Sequence, residues 1–215
     1  MADHQDSARS AAEPRIRLYR PSDRDAIYEI CVRTADAGQD ARGQYLTDDL
    51  MPDLFAGPYA HLEPELTFVL ADEQDQAVGY VVGTADTERF VQAYREVWIP
   101  LVADRYPVPP DPPITPDDEL LTGHYHPEGR LRPELADYPA HLHIDLLPQY
   151  QGRGFGRALI ETWFAAAKAA GAPAVFLNMD PRNVQARGFY DRVGFREIDV
   201  PGGWGVHLGR STSLD

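Results

Sequence analysis

Apolar and polar positions alternate over residues 15–20, Arg-Ile-Arg-Leu-Tyr-Arg, which predicts a half-buried strand. After Pro21-Ser22-Asp23 the period changes. Ala26, Ile27, Ile30 and Cys31 recur at helical spacing, with Ser22 as the expected cap and Asp25 at the capping-box position. Residues 38–64 are less regular, but 48–55 predict a short helix broken by Gly57-Pro58, and Tyr45, Phe55 and Tyr59 read as buried packing. Apolar runs at 66–71 and 77–84 predict a hairpin turning at 72–76. Residues 87–105 predict a long helix with Phe90, Val91, Tyr94, Trp98, Leu101 and Val102 inward. Periodicity then vanishes over 107–139, a stretch dense in proline and acid, and too long for an idle connection.

The pattern returns at 140–147 as a strand ending at Pro148. A helix follows over 158–170, placing Leu159, Ile160, Trp163, Phe164 and Ala167 inward and stopping at Gly171. A strand at 174–179, a helix capped by Asn183 and ended by Gly194, and strands at 195–200 and 204–208 complete the chain. Between the first strand and helix of this half lies Gln151-Gly152-Arg153-Gly154-Phe155-Gly156-Arg157. Amides at a helix N-terminus lack intrahelical partners, and glycines let a ligand approach them, so this loop is a candidate pyrophosphate cradle. A P-loop would need Lys and Ser or Thr where Arg157-Ala158 stand, and a dinucleotide fingerprint would need glycine at Leu159.

The 215 residues suffice for one domain with a full core, expected over 15–210, with tails at 1–14 (disordered) and 211–215. A formal charge of -14 argues against nucleic-acid binding and mildly favours a cationic substrate, although the plain reading is solubility. No apolar run reaches membrane-spanning length, the N-terminus lacks signal-peptide character, and Cys31 has no partner for a disulfide. A cytoplasmic protein, monomer or homodimer, without a membrane role is expected.

The spacing Gln151-x-x-Gly154-x-Gly156, followed by a strand and then Asn183, Ala186, Phe189-Tyr190 and Gly194-Phe195, resembles the acetyl-CoA motif of the GCN5-related N-acetyltransferases (GNAT), with Asn178 standing where some relatives place a glutamate. Within that family His143-Ile144-Asp145-Leu146-Leu147-Pro148 and Leu208-Gly209-Arg210-Ser211 look like a narrower group. These are bacterial acetyltransferases similar to the acetyltransferase-like domain at the end of animal O-GlcNAcases. The animal domains are thought to have lost the cofactor loop, which this chain keeps. The resemblance implies an α/β (α+β) fold, with a mixed, mostly antiparallel sheet splayed between two parallel strands and flanked by helices. It implies acetyl-CoA as cofactor and direct transfer to an acceptor amine, small molecule or protein. The long helix at 87–105 would be an elaboration of the narrower group.

The implied roles fall on particular residues. Backbone N–H groups from Gly152 to Arg157 would face the pyrophosphate, with Gln151, Phe155 and Asn183 in the same site. Arg153 and Arg157 would add charge, or one of them would simply be solvated. An N–H at Leu146 or Leu147, beside a strand bulge, would stabilise the carbonyl oxygen. Tyr190 would protonate the leaving thiolate, or else pack in the core with its hydroxyl on a carbonyl. His141, His143 and Asp145 share a strand face by alternation, with Asp145 first and His143 second as amine base, and solvated polar residues as the alternative. A metal on this His-x-His face is not expected. Tyr45, Phe55 and Tyr59 would bound an acceptor pocket if they are not core, and 107–139 would form its lid or be a disordered insert. Two other functions stay open: a binding module or degenerate enzyme without turnover, and use of a longer acyl-CoA.

Overall fold

The computed structural model describes residues 13–214, so residues 1–12 of the expected N-terminal tail lie outside it. Among the described residues seven strands form one sheet: β1 (Arg15–Leu18), β2 (Phe68–Ala71), β3 (Ala77–Thr84), β4 (Ala140–Leu146), β5 (Ala174–Met179), β6 (Arg196–Ile198) and β7 (Val206–Ser211). Their order across the sheet is β1-β2-β3-β4-β5-β7-β6. Neighbours are antiparallel except β4 and β5, which run parallel and pair only at Ala140–Val175 and His141–Phe176. Beyond His141 these two strands part, giving the expected splay. The expected bulge is not what opens it: β3 and β4 keep an unbroken register from Gly79–Leu146 to Thr84–His141.

The helices are α1 (Arg24–Val32), α2 (Leu50–Phe55), α3 (Gly57–Leu62), α4 (Thr87–Ala93), α5 (Ile99–Val102), α6 (Pro116–Tyr125), α7 (Phe155–Ala169) and α8 (Val184–Arg192). Helix α7 buries all five of its predicted inward residues, Leu159, Ile160, Trp163, Phe164 and Ala167. Each large one contributes about 1.5–3 kcal/mol of burial. The Trp163 indole N–H finds the Leu66 carbonyl at 3.0 Å, so the ring is buried without an orphaned donor. Cys31 is buried in the core, and burial pushes its thiol pKa up, so it is an inert packing group.

Several local expectations are corrected. Ser22 is not the cap of α1. Asp23 holds that position after a 3-10 turn at Pro21–Asp23, its carboxylate accepting the Arg20 N–H at 2.8 Å and clasped by Arg17. Helix α2 ends at Phe55, just before Gly57-Pro58 as expected, but the same pair also opens α3, with proline in the first turn, where it lacks no needed N–H. The long helix runs from Thr87 to Val102 through a π turn at Tyr94–Trp98, and Leu101 faces solvent. Helix α7 begins three residues earlier than expected, at Phe155. Ser211 belongs to β7 rather than the tail, and Thr212 is anchored to Ala172 and Pro173.

The stretch 107–139 is built rather than loose. Thr115 and Asp118 form a reciprocal capping box at the start of α6, and Leu121, His124 and Leu135 are buried. Tyr94 meets His124 at 2.7 Å, and Tyr125 donates to the Tyr106 carbonyl at 2.7 Å. The segment touches two separate loops. Asp117 accepts the Leu46 N–H at 2.6 Å, and Arg132 donates to the Pro201 carbonyl.

One buried carboxylate ties this half of the molecule together. Asp53 has no solvent exposure, accepts hydroxyls from Tyr28 (2.5 Å) and Tyr106 (2.6 Å), and pairs with Arg105 at 2.6 Å. Removing one member of such a buried set strands the others, at a cost of about 3–5 kcal/mol. Asp53→Ala is therefore expected to lower the melting temperature by roughly 10 °C, read in a thermal melt.

Candidate active site

The splay between β4 and β5 opens into a cavity of about 520 Å³. Its walls are the C-terminal end of α1 with the following turn, the end of β4, the glycine-rich loop and α8. The loop geometry follows from its glycines. Gly152 (φ 69°) and Gly154 (φ 88°) are left-handed, and a Cβ at either would meet only open space, so conformation and not crowding requires glycine there. At Gly156 the reason is proximity, since a Cβ would press on the Phe189 ring at 3.3 Å.

The first α7 amide to find an i−4 acceptor is Ala158, which donates to the Gly154 carbonyl at 3.1 Å. Gln151 N–H donates back to Pro148. Among the described residues, none of the six amides from Gly152 to Arg157 has a backbone acceptor. They concentrate partial positive charge on the cavity rim, as a diphosphate requires. The residues present therefore fit the phosphate end of coenzyme A.

The flanking side chains divide into those on the cavity and those off it. Asp145, Leu146, Gln151, Gly152, Gly154, Gly156, Arg157, Asn183 and Tyr190 line it. Leu147, Phe155, Arg153 and His143 do not. Leu147 is buried, and its N–H is committed to the Val78 carbonyl at 3.0 Å. Phe155 packs on the core, and the Arg153 guanidinium lies over its ring at 5.1 Å. Arg157 turns to the Arg192 carbonyl (3.0 Å) and Glu161. Gln151 donates to the Leu146 carbonyl at 2.8 Å and accepts from Gln185 at 3.0 Å, latching β4 to α8. Asn183 caps α8 through the Ala186 N–H at 2.9 Å.

Antiparallel alternation sorts the two oxyanion candidates. Because Leu147 N–H points at β3, Leu146 N–H points the other way, toward the gap that β5 has vacated. Of the two, Leu146 is the one whose amide faces the cleft.

Tyr190 is buried against Phe189 and Phe195 but reaches the cavity. Among the described residues its hydroxyl makes no hydrogen bond, so the alternative of a hydroxyl tied to a backbone carbonyl does not hold. Burial, reinforced by the Asp145 charge, raises its pKa, which keeps the phenol protonated.

Asp145 accepts the Tyr80 hydroxyl at 2.6 Å and lies 3.0 Å from the Thr34 hydroxyl oxygen. Thr34 also sits 2.9 Å from the Ile30 carbonyl and 3.2 Å from the Cys31 carbonyl, so its hydroxyl ties the end of α1 to Asp145. Burial raises the Asp145 pKa, partly opposed by the Tyr80 and Thr34 hydrogen bonds.

The two histidines of β4 belong to a directed chain. Thr87 sits 2.8 Å from the Pro139 carbonyl, to which it must donate, and 2.8 Å from His141 Nδ1, from which it must accept. His141 Nε2 then accepts the Tyr59 hydroxyl at 2.8 Å, and Tyr59 accepts His143 Nε2–H at 3.1 Å. Burial depresses both imidazoles, His143 to about 3, so both are neutral at pH 7. Both nitrogens of His141 are therefore occupied, which closes it to a metal, while His143 retains a bare Nδ1. Tyr59 is fully buried as core, and the partly buried Phe55 meets the His143 ring edge-on at 5.5 Å.

Sequence reasoning missed Thr34 and Gly38 at the end of α1, and Arg182, Phe189 and Arg192 around α8. Phe189 stood inside the quoted motif. The others carry no local pattern and reach the cavity only through tertiary folding.

The sequence profile of the Acetyltransferase (GNAT) family matches residues 122–195. The crystal structure of SsHAT is 57% identical, covers 94% of this chain and 100% of its own, and superposes with a TM-score of 0.90. The chain belongs to the GNAT acetyltransferase family. Protein O-GlcNAcase of Rattus norvegicus is 29% identical over 201 residues, which is 91% of this GNAT chain but only 22% of that protein. A GNAT superfamily phosphinothricin acetyltransferase from Sinorhizobium meliloti, solved with AcCoA, shares the fold at a TM-score of 0.52 and 13% identity, covering 93% of this chain and 89% of its own. Among the described residues no helix is long and apolar enough to cross a membrane.

Proposed function

We propose that this GNAT protein transfers acetyl from acetyl-CoA directly to an acceptor amine held in the same cleft, and works in the cytoplasm. The observation that carries this reading is the arrangement around one cavity. Four of the six unpaired loop amides, those of Gly152, Gly154, Gly156 and Arg157, belong to residues on its rim, with Tyr190 and Asp145 on its walls. Bound acetyl-CoA supplies an acyl group activated as a thioester. The loop amides hold its phosphates, with Arg192 on the cavity wall as a further cation. Leu146 N–H donates to the acyl oxygen as negative charge develops there, at no reorganisation cost. Asp145 takes the proton released by the attacking amine, with His143 Nδ1 second in reach along the same strand face. Tyr190 gives its proton to the departing thiolate. Direct transfer is favoured over a cysteine-bound intermediate, since Cys31 is buried with a raised pKa.

Thiol release from acetyl-CoA across a panel of amines tests this function. Turnover with at least one amine supports it. Heat stabilisation by coenzyme A with no turnover would instead support a binding module, which the protonation-favouring surroundings of Asp145 keep as the second reading.

A further inference from the structure

Among the described residues Asp145 is the only acidic side chain on the wall of the cofactor cavity. The arginines that share that wall do not reach it. Arg157 meets Glu161 at 3.4 Å, and Arg182 meets Asp180 at 2.7 Å and Asp36 at 3.2 Å. Arg192 has no carboxylate within ion-pair distance among the described residues. The other titratable groups around Asp145 are Cys31 from α1, Tyr190 from α8 and His143 on the same face of β4, all neutral at pH 7. A carboxylate drawn out of water without a cation is held ionised by hydrogen-bond donors.

Two hydroxyls reach it, and they are not equivalent. Thr34 lies 3.0 Å from Oδ1, but also 2.9 Å from the Ile30 carbonyl and 3.2 Å from the Cys31 carbonyl, so three acceptors share its one hydrogen. Tyr80 Oη lies 2.6 Å from Oδ2 and, among the described residues, has no other acceptor. That separation falls in the range of an O–H donor on an ionised oxygen. The sheet register makes the contact. Tyr80 of β3 stands directly opposite Asp145 of β4, so the two side chains leave the same face as neighbours. Tyr80 is fully buried and is not on the cavity wall, so it meets the chemistry only through Asp145.

We propose that Tyr80 is a positioning residue for acetyl transfer, its hydroxyl fixing the Asp145 carboxylate at the cavity wall and stabilising the ionised form that takes the amine proton. The inference rests on the acetyl-transfer reading and adds the group that makes its base competent. Because Oδ2 is engaged by Tyr80, Oδ1 is the oxygen that receives the proton.

The test reads the ionisation of Asp145 in the full chain, on wild type, Tyr80→Phe and Thr34→Val. NMR titration of the Asp145 carboxyl carbon, assigned by its absence in Asp145→Asn, needs no turnover. The acid limb of the kcat profile reads the same group during reaction. Tyr80→Phe keeps the ring and removes the committed donor, so both midpoints are expected to rise by about one to two pH units. Below the displaced limb kcat falls about tenfold for each unit of displacement, and above it kcat returns to within about threefold of wild type. Thr34→Val is expected to move the midpoints less. On the Asp145→Asn background, Tyr80→Phe is expected to change kcat by less than about threefold, since the group it acts through is gone. A merely structural role would lower kcat at every pH and leave the midpoints in place.

Unmoved midpoints in Tyr80→Phe, a larger displacement in Thr34→Val, or a further loss of kcat from Tyr80→Phe on the Asp145→Asn background overturns the proposal. Should Tyr80→Phe not fold, Thr34→Val decides. A displacement below about one pH unit supports Tyr80 as the principal donor, and a larger one overturns it. Displaced titration in a protein that turns over no amine would count against the acetyl-transfer reading and leave the hold of Tyr80 on Asp145 standing.

Discussion

Asp145→Asn is expected to lower kcat about a thousandfold while leaving coenzyme A affinity near wild type, because a carboxamide cannot take the amine proton. Steady-state thiol release against calorimetric binding separates the two quantities. The wild-type pH profile carries the same signature. Burial holds the Asp145 pKa above the ordinary carboxylate range, so activity rises with pH as the group ionises, and the acid limb lies higher than for an exposed aspartate. The stability effect has the opposite sign. A carboxyl whose folded pKa is raised binds its proton more tightly in the native state than in the unfolded chain. Its stabilising contribution is complete below the unfolded pKa and is lost as pH rises through the folded one. Asparagine stays neutral throughout, so the variant is expected to melt no lower than wild type at neutral pH. A variant that loses both activity and stability would place Asp145 among the structural carboxylates, as Asp53 is.

Tyr190→Phe is expected to lower kcat about a hundredfold, with the KM for acetyl-CoA little changed, since the hydroxyl acts on the leaving thiolate and not on ground-state binding. The ring keeps its contacts with Phe189 and Phe195, and no hydrogen-bond partner is stranded, so the fold is expected to hold within about 1 kcal/mol. The raised Tyr190 pKa also removes an ordinary tyrosine limb from the alkaline side of the kcat profile. Unchanged turnover in Tyr190→Phe would leave the thiolate to be protonated by solvent.

The second half of the chain was legible because its signals are local. A run bounded by Pro148, a glycine loop, an amphipathic helix and the Asn183 cap each speak within a few residues. The five inward positions of α7 follow from period alone. Segment 107–139 was opaque for a physical reason: α6 buries only Leu121 and His124, too few to print a stripe on the sequence. The Thr115-Pro-Asp-Asp118 capping box was its one readable mark. In the site, alternation placed His141, His143 and Asp145 on one face, and nearness to the glycine loop put Asp145 first as base and His143 second. The partners that set their hydrogen bonding, Tyr59, Tyr80, Thr34 and Thr87, are distant in sequence and only the fold brings them together. The choice between Leu146 and Leu147 likewise needed the β3 register, which no local pattern encodes.

Calorimetric titration of wild-type protein with coenzyme A and, in parallel, with pantetheine compares the two with and without the diphosphate that the amides of Gly152 to Arg157 are argued to hold. Coenzyme A is expected to bind at least about a hundredfold tighter, the equivalent of roughly 2.7 kcal/mol in charge-assisted hydrogen bonds. Equal affinity for both, or no uptake of coenzyme A, would contradict the account.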